Sequence, residues 1–106
     1  MSRETKIITT PVDKQKITLN AWISGREKRE LRDILLAGMK MDKEGKVVTD
    51  PTITTKTEDK AIEMIVVSVN DKNEDILNKI LDMKSKDFDF VIDEINSVRE
   101  DKDFLA

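Results

Sequence analysis

The motif Ser24-Gly25-Arg26-Glu27 separates two regimes of hydrophobic spacing, and that boundary constrains the fold more than any other feature of the chain. Serine followed three residues later by glutamate is a capping box. The serine oxygen accepts an amide of the first helical turn, and the glutamate reaches back to the serine amide. Upstream, "TKIITT" and "KITLNAWI" are short β-prone runs around "PVDKQ", whose Pro11 and Asp13 suit a turn, so residues 1–23 are expected to form a β-hairpin. Downstream, Leu31, Ile34, Leu35 and Gly38 recur at helical spacing while Arg26, Lys28, Arg29, Glu30, Arg32 and Asp33 fill the other arc. That pattern predicts an amphipathic helix over residues 24–40. Ile23 holds the position of a hydrophobic staple, but its expected partner is Lys28, so the staple is missing and Trp22 must pack elsewhere.

Gly45 and Pro51 break the periodicity in "DKEGKVVTDPTITTKT", so residues 41–57 are expected to be a loop or a small exposed hairpin turning at Asp50 and Pro51. "EDKAIEMIVVSVN" is ambiguous. Ala61, Ile62, Ile65, Val66 and Val69 suit a helix, whereas the β-branched run Ile65, Val66, Val67 favours a buried strand. Its length, its lack of strict alternation and a second capping box from Thr55 and Glu58 favour the helix, giving a helical part over 58–99. Within it, Asp71 and Glu74 introduce a helix with Ile76, Leu77, Ile80 and Leu81 on one face. Ser85 is the expected cap of a last helix striped by Phe88, Val91, Ile92, Ile95 and Val98, and residues 100–106 trail off as a frayed charged tail. The expected fold is α+β, mostly α: an N-terminal β-hairpin followed by about four helices in one small domain, as a length of 106 residues allows.

With 39% charged residues, one Trp and three Phe, the core must be built mostly from Ile, Leu, Val and Met. Cysteine is absent, which removes disulfides and thiolate metal sites. No signal-peptide h-region and no membrane-length apolar run is present, so a soluble protein of a reducing cytoplasm is expected, without membrane partners. A net charge of −3 argues against nucleic acid as a partner, because phosphate binding by counterion release needs a basic surface.

Catalytic or metal chemistry finds little support. Asp71, Asn73 and Asp75 have the spacing that opens an EF-hand loop, but Ile76 stands where glycine is needed and Asp82 where a bidentate glutamate is needed. Asp87, Asp89, Asp93 and Glu94 suit a solvated acidic helix face better than paired catalytic carboxylates, and the chain has no histidine to complete a proton-transfer or metal site. Arg26, Lys28, Arg29 and Arg32 resemble a phosphate grip at a helix start, but Glu27, Glu30 and Asp33 interleave with them and Arg29 can pair with Asp33. No catalytic residue, metal ligand or cofactor is assigned, and an enzyme is not expected. Trp22 suits either a core plug closing hairpin onto helix or a binding anchor. Phe88 and Phe90 stand two apart and cannot both face the core from one helix. Trp22, Phe88 and Phe90 are therefore the candidate partner-binding residues.

The order "ITLNAWISGRE", a charged helix, then "VVSVNDKNEDILNKILDMKSKDFDFVIDEI" resembles small tail assembly chaperones of long-tailed, siphovirus-like bacteriophages. The matching positions are Trp22, Ser24, Gly25, Arg26 and Glu27 in the Trp-x-[ST]-Gly-Arg-Glu-like turn. Val66 to Val69 with Asn70 and Asp71, and Asp87 to Asp89 at a helix start, match as well. The likeness covers most of residues 16–98 and departs from the pattern at Asn70 and Asp71, where a glycine is expected. The resemblance implies a non-enzymatic role in the host cytoplasm: binding the tape measure protein, keeping it soluble and helping the major tail tube protein polymerise around it, with self-association into a homo-oligomer compatible with that role. The alternative is a phage-encoded acidic inhibitor of a host or defence protein. Charge mimicry needs carboxylates gathered with few cations, whereas 19 Lys and Arg are mixed here among 22 Asp and Glu.

Overall fold

In the computed structural model, which describes residues 3–41, 43–49 and 51–100, the capping box and the change of period fall where the sequence places them. Strands β1 (Thr5–Thr9) and β2 (Lys16–Asn20) form the N-terminal hairpin, with Ile8 opposite Ile17 and Thr5 opposite Asn20. Helix α1 (Gly25–Ala37) follows. Ser24 accepts the Glu27 amide at 3.1 Å and donates its own amide to Glu27 Oε1 at 2.9 Å, closing the box in both directions. Ser24→Ala is expected to cost about 1 kcal/mol, read as a lowered urea midpoint at unchanged m-value. An unchanged midpoint would show that Glu27 and Arg3 hold the turn without the serine oxygen.

Residues 41–57 are more structured than expected. β3 (Met39–Met41) and β4 (Val47–Thr49) form a two-stranded hairpin, with Gly45 at φ 81° in the connection between them. Pro51 is not a turn residue: it is the first residue of α2 (Pro51–Ile65). Proline suits that position because its fixed φ is helical and its missing N–H would have had no partner there. Asp50 lies outside the described residues. The second capping box does not form, since Thr55 and Glu58 are both inside α2.

The ambiguous stretch is both elements in succession. α2 ends at Ile65 and the chain continues as β5 (Val66–Val69), so the expectation of helix through residue 69 is corrected. β5 pairs antiparallel with β2, making a three-stranded sheet of order β1-β2-β5. Ile17 faces Val69 and Thr18 faces Ser68, but Leu19 faces Val66, which leaves Val67 as a bulge. A bulge inserts one residue without a partner, so Val66 and Val69 both turn to the core three residues apart while Val67 stays 39% exposed. This explains why "VVSV" shows no alternation.

Beyond β5, Val69 and Lys72 exchange backbone hydrogen bonds of 2.9 and 3.0 Å around Asn70 and Asp71, whose φ values are 52° and 66°. Positive φ at both central residues is the hairpin turn that Asn and Asp tolerate, so no glycine is required. The Asn70 side chain also accepts the Lys16 amide at 2.9 Å. Helix α3 (Ile76–Leu81) starts at Asp75 in a left-handed conformation, with no side-chain cap on the backbone. Helix α4 (Ser85–Arg99) has Lys84 at the cap position, also without a side-chain bond, so Ser85 does not cap it. The expected tail, apart from the α4 cap Glu100, lies outside the described residues.

The core lies between the inner face of the three-stranded sheet and the helices. Ile17 and Leu19 of β2 meet Val66 and Val69 of β5, Ala61, Ile62 and Ile65 of α2, and Val91, Ile95 and Val98 of α4. α2 is central, touching α1, α3, α4 and β5. As expected from composition, the fully buried hydrophobic side chains are aliphatic, and Phe88 packs against their edge. Gly38, which ends α1, is buried against Ile53 of α2: a Cβ added there would meet the Ile53 Cβ at 2.7 Å. The fold is therefore α+β, with a sheet covered on one face by helices.

Candidate functional site

The stretch from Ala21 to Glu27 is organised by a residue far upstream. Arg3 Nη2 lies 2.9 Å from Glu27 Oε1, and the guanidinium carbon sits 4.8 Å from the centre of the Trp22 ring. Arg3 also donates to the Trp22 carbonyl at 3.4 Å. A guanidinium over an indole is attracted by the ring quadrupole while its N–H groups stay in the plane for a carboxylate. Burial opposes ionisation of Glu27, but the Ser24 amide and Arg3 outweigh it and hold the carboxyl below its ordinary pKa. Trp22 is half-buried and serves as a platform for Arg3; its neighbour Ile23 is the residue that enters the core.

Asp87 is the most unusual carboxylate of the chain. It is expected on a solvated acidic face with Asp89, Asp93 and Glu94, yet its side chain is fully buried, while Asp89 and Asp93 are exposed and Glu94 bonds Lys6 at 3.1 Å. The loop joining β1 to β2 folds over it. The amides of Val12 and Asp13 donate to its two oxygens at 2.8 and 3.0 Å, and the buried Thr10 hydroxyl bonds it as well while accepting the Gln15 amide at 2.8 Å. Lys84 adds a positive charge nearby and pairs with Asp13 at 3.0 Å. Burial favours the neutral acid, but the two amides, the hydroxyl and Lys84 prevail and keep the pKa below its ordinary value. A buried, ionised carboxylate is a natural suspect for chemistry. Here both oxygens are occupied by the protein's own donors, so the group fastens loop to helix.

A cleft of about 500 Å³ runs between α1 and the C-terminal end of α4. Ile23, Leu31 and Leu35 give it an apolar floor. Among the described residues, Lys28, Arg29 and Arg32 line it from α1, Arg99 from α4 and Glu100 from the α4 cap, with Lys28 and Glu100 each engaged within the protein. Arg29 and Arg32 are exposed, and among the described residues Arg29 is not within ion-pair distance of Asp33, its expected partner. Arg99 donates to Asn96 Oδ1 at 3.4 Å.

Of the candidate partner-binding residues, none lines this cleft. Trp22 lies under Arg3, Phe88 leans on the core at the start of α4, and Phe90 is half-buried on the same helix. The basic residues of α1 are visible in the sequence as part of a charge-laced helix face. Their meeting with Arg99 is not, because it depends on how α4 crosses α1. Among the described residues no group of His, Cys, Asp or Glu could hold a metal ion, and no helix is long and apolar enough to cross a membrane. Comparison with family models, curated proteins and solved structures finds no match to this chain.

Proposed function

We propose that the chain is a non-catalytic protein-binding module that acts as a tail assembly chaperone, holding a helical client, the tape measure protein, soluble in the host cytoplasm while the tail tube protein assembles around it. The observation that carries this reading is the cleft between α1 and α4, whose apolar floor and charged rim suit an amphipathic helix laid into a groove. The resemblance around Trp22, Ser24, Gly25, Arg26 and Glu27 supplies the identity of the client. A surface rich in both signs of charge keeps a complex with an apolar helix hydrated. The inhibitor alternative fits less well in its charge-mimic form, because among the described residues lining the cleft cations outnumber carboxylates.

Co-expression tests the proposal. The tape measure protein of the same phage is expected to move from the insoluble to the soluble fraction in the presence of this chain, and to co-purify with it. A tape measure protein equally insoluble with and without the chain would remove the chaperone assignment. Phe90→Ser serves as a second probe: loss of co-purification would place the client on the α4 face that carries Phe90, and retention would leave the cleft as its seat.

A further inference from the structure

We infer that the α1–α4 cleft takes an amphipathic helix flanked by acidic residues, a statement of client chemistry that rests on the protein-binding reading above. The floor of Ile23, Leu31 and Leu35 offers apolar contact along α1. From Gly25 to Leu35 the α1 side is about three helical turns long, so the matching segment is a helix of similar length. Its apolar face supplies the contact area, as in other helix-in-groove complexes.

Charge selects among such helices. The chain carries a net charge of −3, yet among the described residues Lys28, Arg29, Arg32 and Arg99 outnumber Glu100 in the lining of this cleft. Since Lys28 and Glu100 are each engaged within the protein, the charge offered to a client is that of Arg29, Arg32 and Arg99. A local excess of cations on an acidic protein repels basic helices at the cleft and draws acidic ones, raising the association rate and rejecting wrong partners. Guanidinium groups at these three positions add planar, two-pronged bonding to carboxylates. Binding by charge alone is not the arrangement, because the apolar floor would then be left covered by an anion with nothing to bury it.

A charge-swap experiment on the intact chain tests this. Two synthetic peptides of about four helical turns share one leucine stripe and differ only in flanking Glu or Lys. The Glu peptide is expected to bind the native protein at least about tenfold more tightly than the Lys peptide, and Arg29→Glu with Arg32→Glu is expected to invert that order. Both arginines are exposed on α1, so the double variant keeps its fold, which circular dichroism checks directly. Leu35→Ser should weaken both peptides. Equal binding of the two peptides, an order unchanged by the double variant, or equal binding of a Glu peptide lacking leucines, which would mark a mere anion site, overturns the inference. Failure of co-expression with the tape measure protein leaves this test untouched, whereas tape measure binding unaffected by the double variant would refute the acidic-helix inference and leave the chaperone reading standing.

Discussion

Asp87→Ala is expected to free the β1–β2 loop and to lower stability more than Asp89→Ala, its exposed neighbour two residues along α4. The alanine removes the acceptor for two part-buried backbone amides, Val12 and Asp13, and for the buried Thr10 hydroxyl, all of which meet at a carboxylate that is itself fully buried. Donors left without partners beside a buried site are costly, and lifting the exposed loop off α4 lets water satisfy them. Asp87→Asn is expected to be nearly as damaging, because its Nδ2 would confront an amide that is itself a donor. Hydrogen exchange provides the local readout: the amides of Val12 and Asp13 should lose protection in both variants. The pH dependence has a definite sign. The folded-state pKa of Asp87 is depressed, so its contribution is fully present above the ordinary carboxylate range and is lost as the pH falls through the folded value. The native protein should therefore lose stability on acidification more steeply than Asp87→Ala. Protected Val12 and Asp13 amides in the alanine variant, or parallel acid curves, would show that the loop is held by other contacts.

Gly38→Ala is expected to destabilise by about 1–3 kcal/mol, toward the upper end, although alanine is the better helix former. Backbone conformation is not the reason, since Gly38 has φ −88°, open to any residue. The reason is space. The new methyl would overlap the Ile53 side chain near its root, with the Ile53 Cβ only 2.7 Å away, so a rotation of the chain end cannot relieve it. α1 and α2 would have to separate. Shortening the opposing residue offers an internal control: in Gly38→Ala with Ile53→Ala, the combined loss should fall short of the sum of the single losses. Strict additivity in a urea double-mutant cycle would mean that the two residues do not touch.

Ser24 and Glu27 show how local chemistry becomes legible. Every partner of that cap lies within three residues, so its pattern survives in the sequence without knowledge of the fold. The same reasoning misplaced the second box, because Thr55 and Glu58 fit the pattern equally well. Pro51 begins α2 earlier, and Ile53 then seats against Gly38, a contact that no local motif encodes. Phe88 and Phe90 stand two apart on α4: Phe88 packs against the core, while Phe90 is half-buried and not among the residues that do. Arg3 shows the opposite case. Nothing near it in sequence announces that it will cover Trp22 and grip Glu27, 24 residues away.

The sequence by itself determined the class of this protein: an N-terminal hairpin, a capped amphipathic helix, an aliphatic core and an α+β fold. These follow from interactions between near neighbours and from the period of apolar residues, which are local quantities. Tertiary structure decided that β5 leaves the end of α2 and joins β2, with the Val67 bulge turning both Val66 and Val69 inward. It also decided that Asp87 is buried under a loop 74 residues away in the chain, and that Arg99 meets the basic face of α1 across a cleft. In each of these, a side chain that looks like ordinary surface in its own segment acquires its role from a partner brought in by strand pairing or helix crossing. The energies of such pairings depend on geometry between distant segments, and a local pattern carries no record of that geometry.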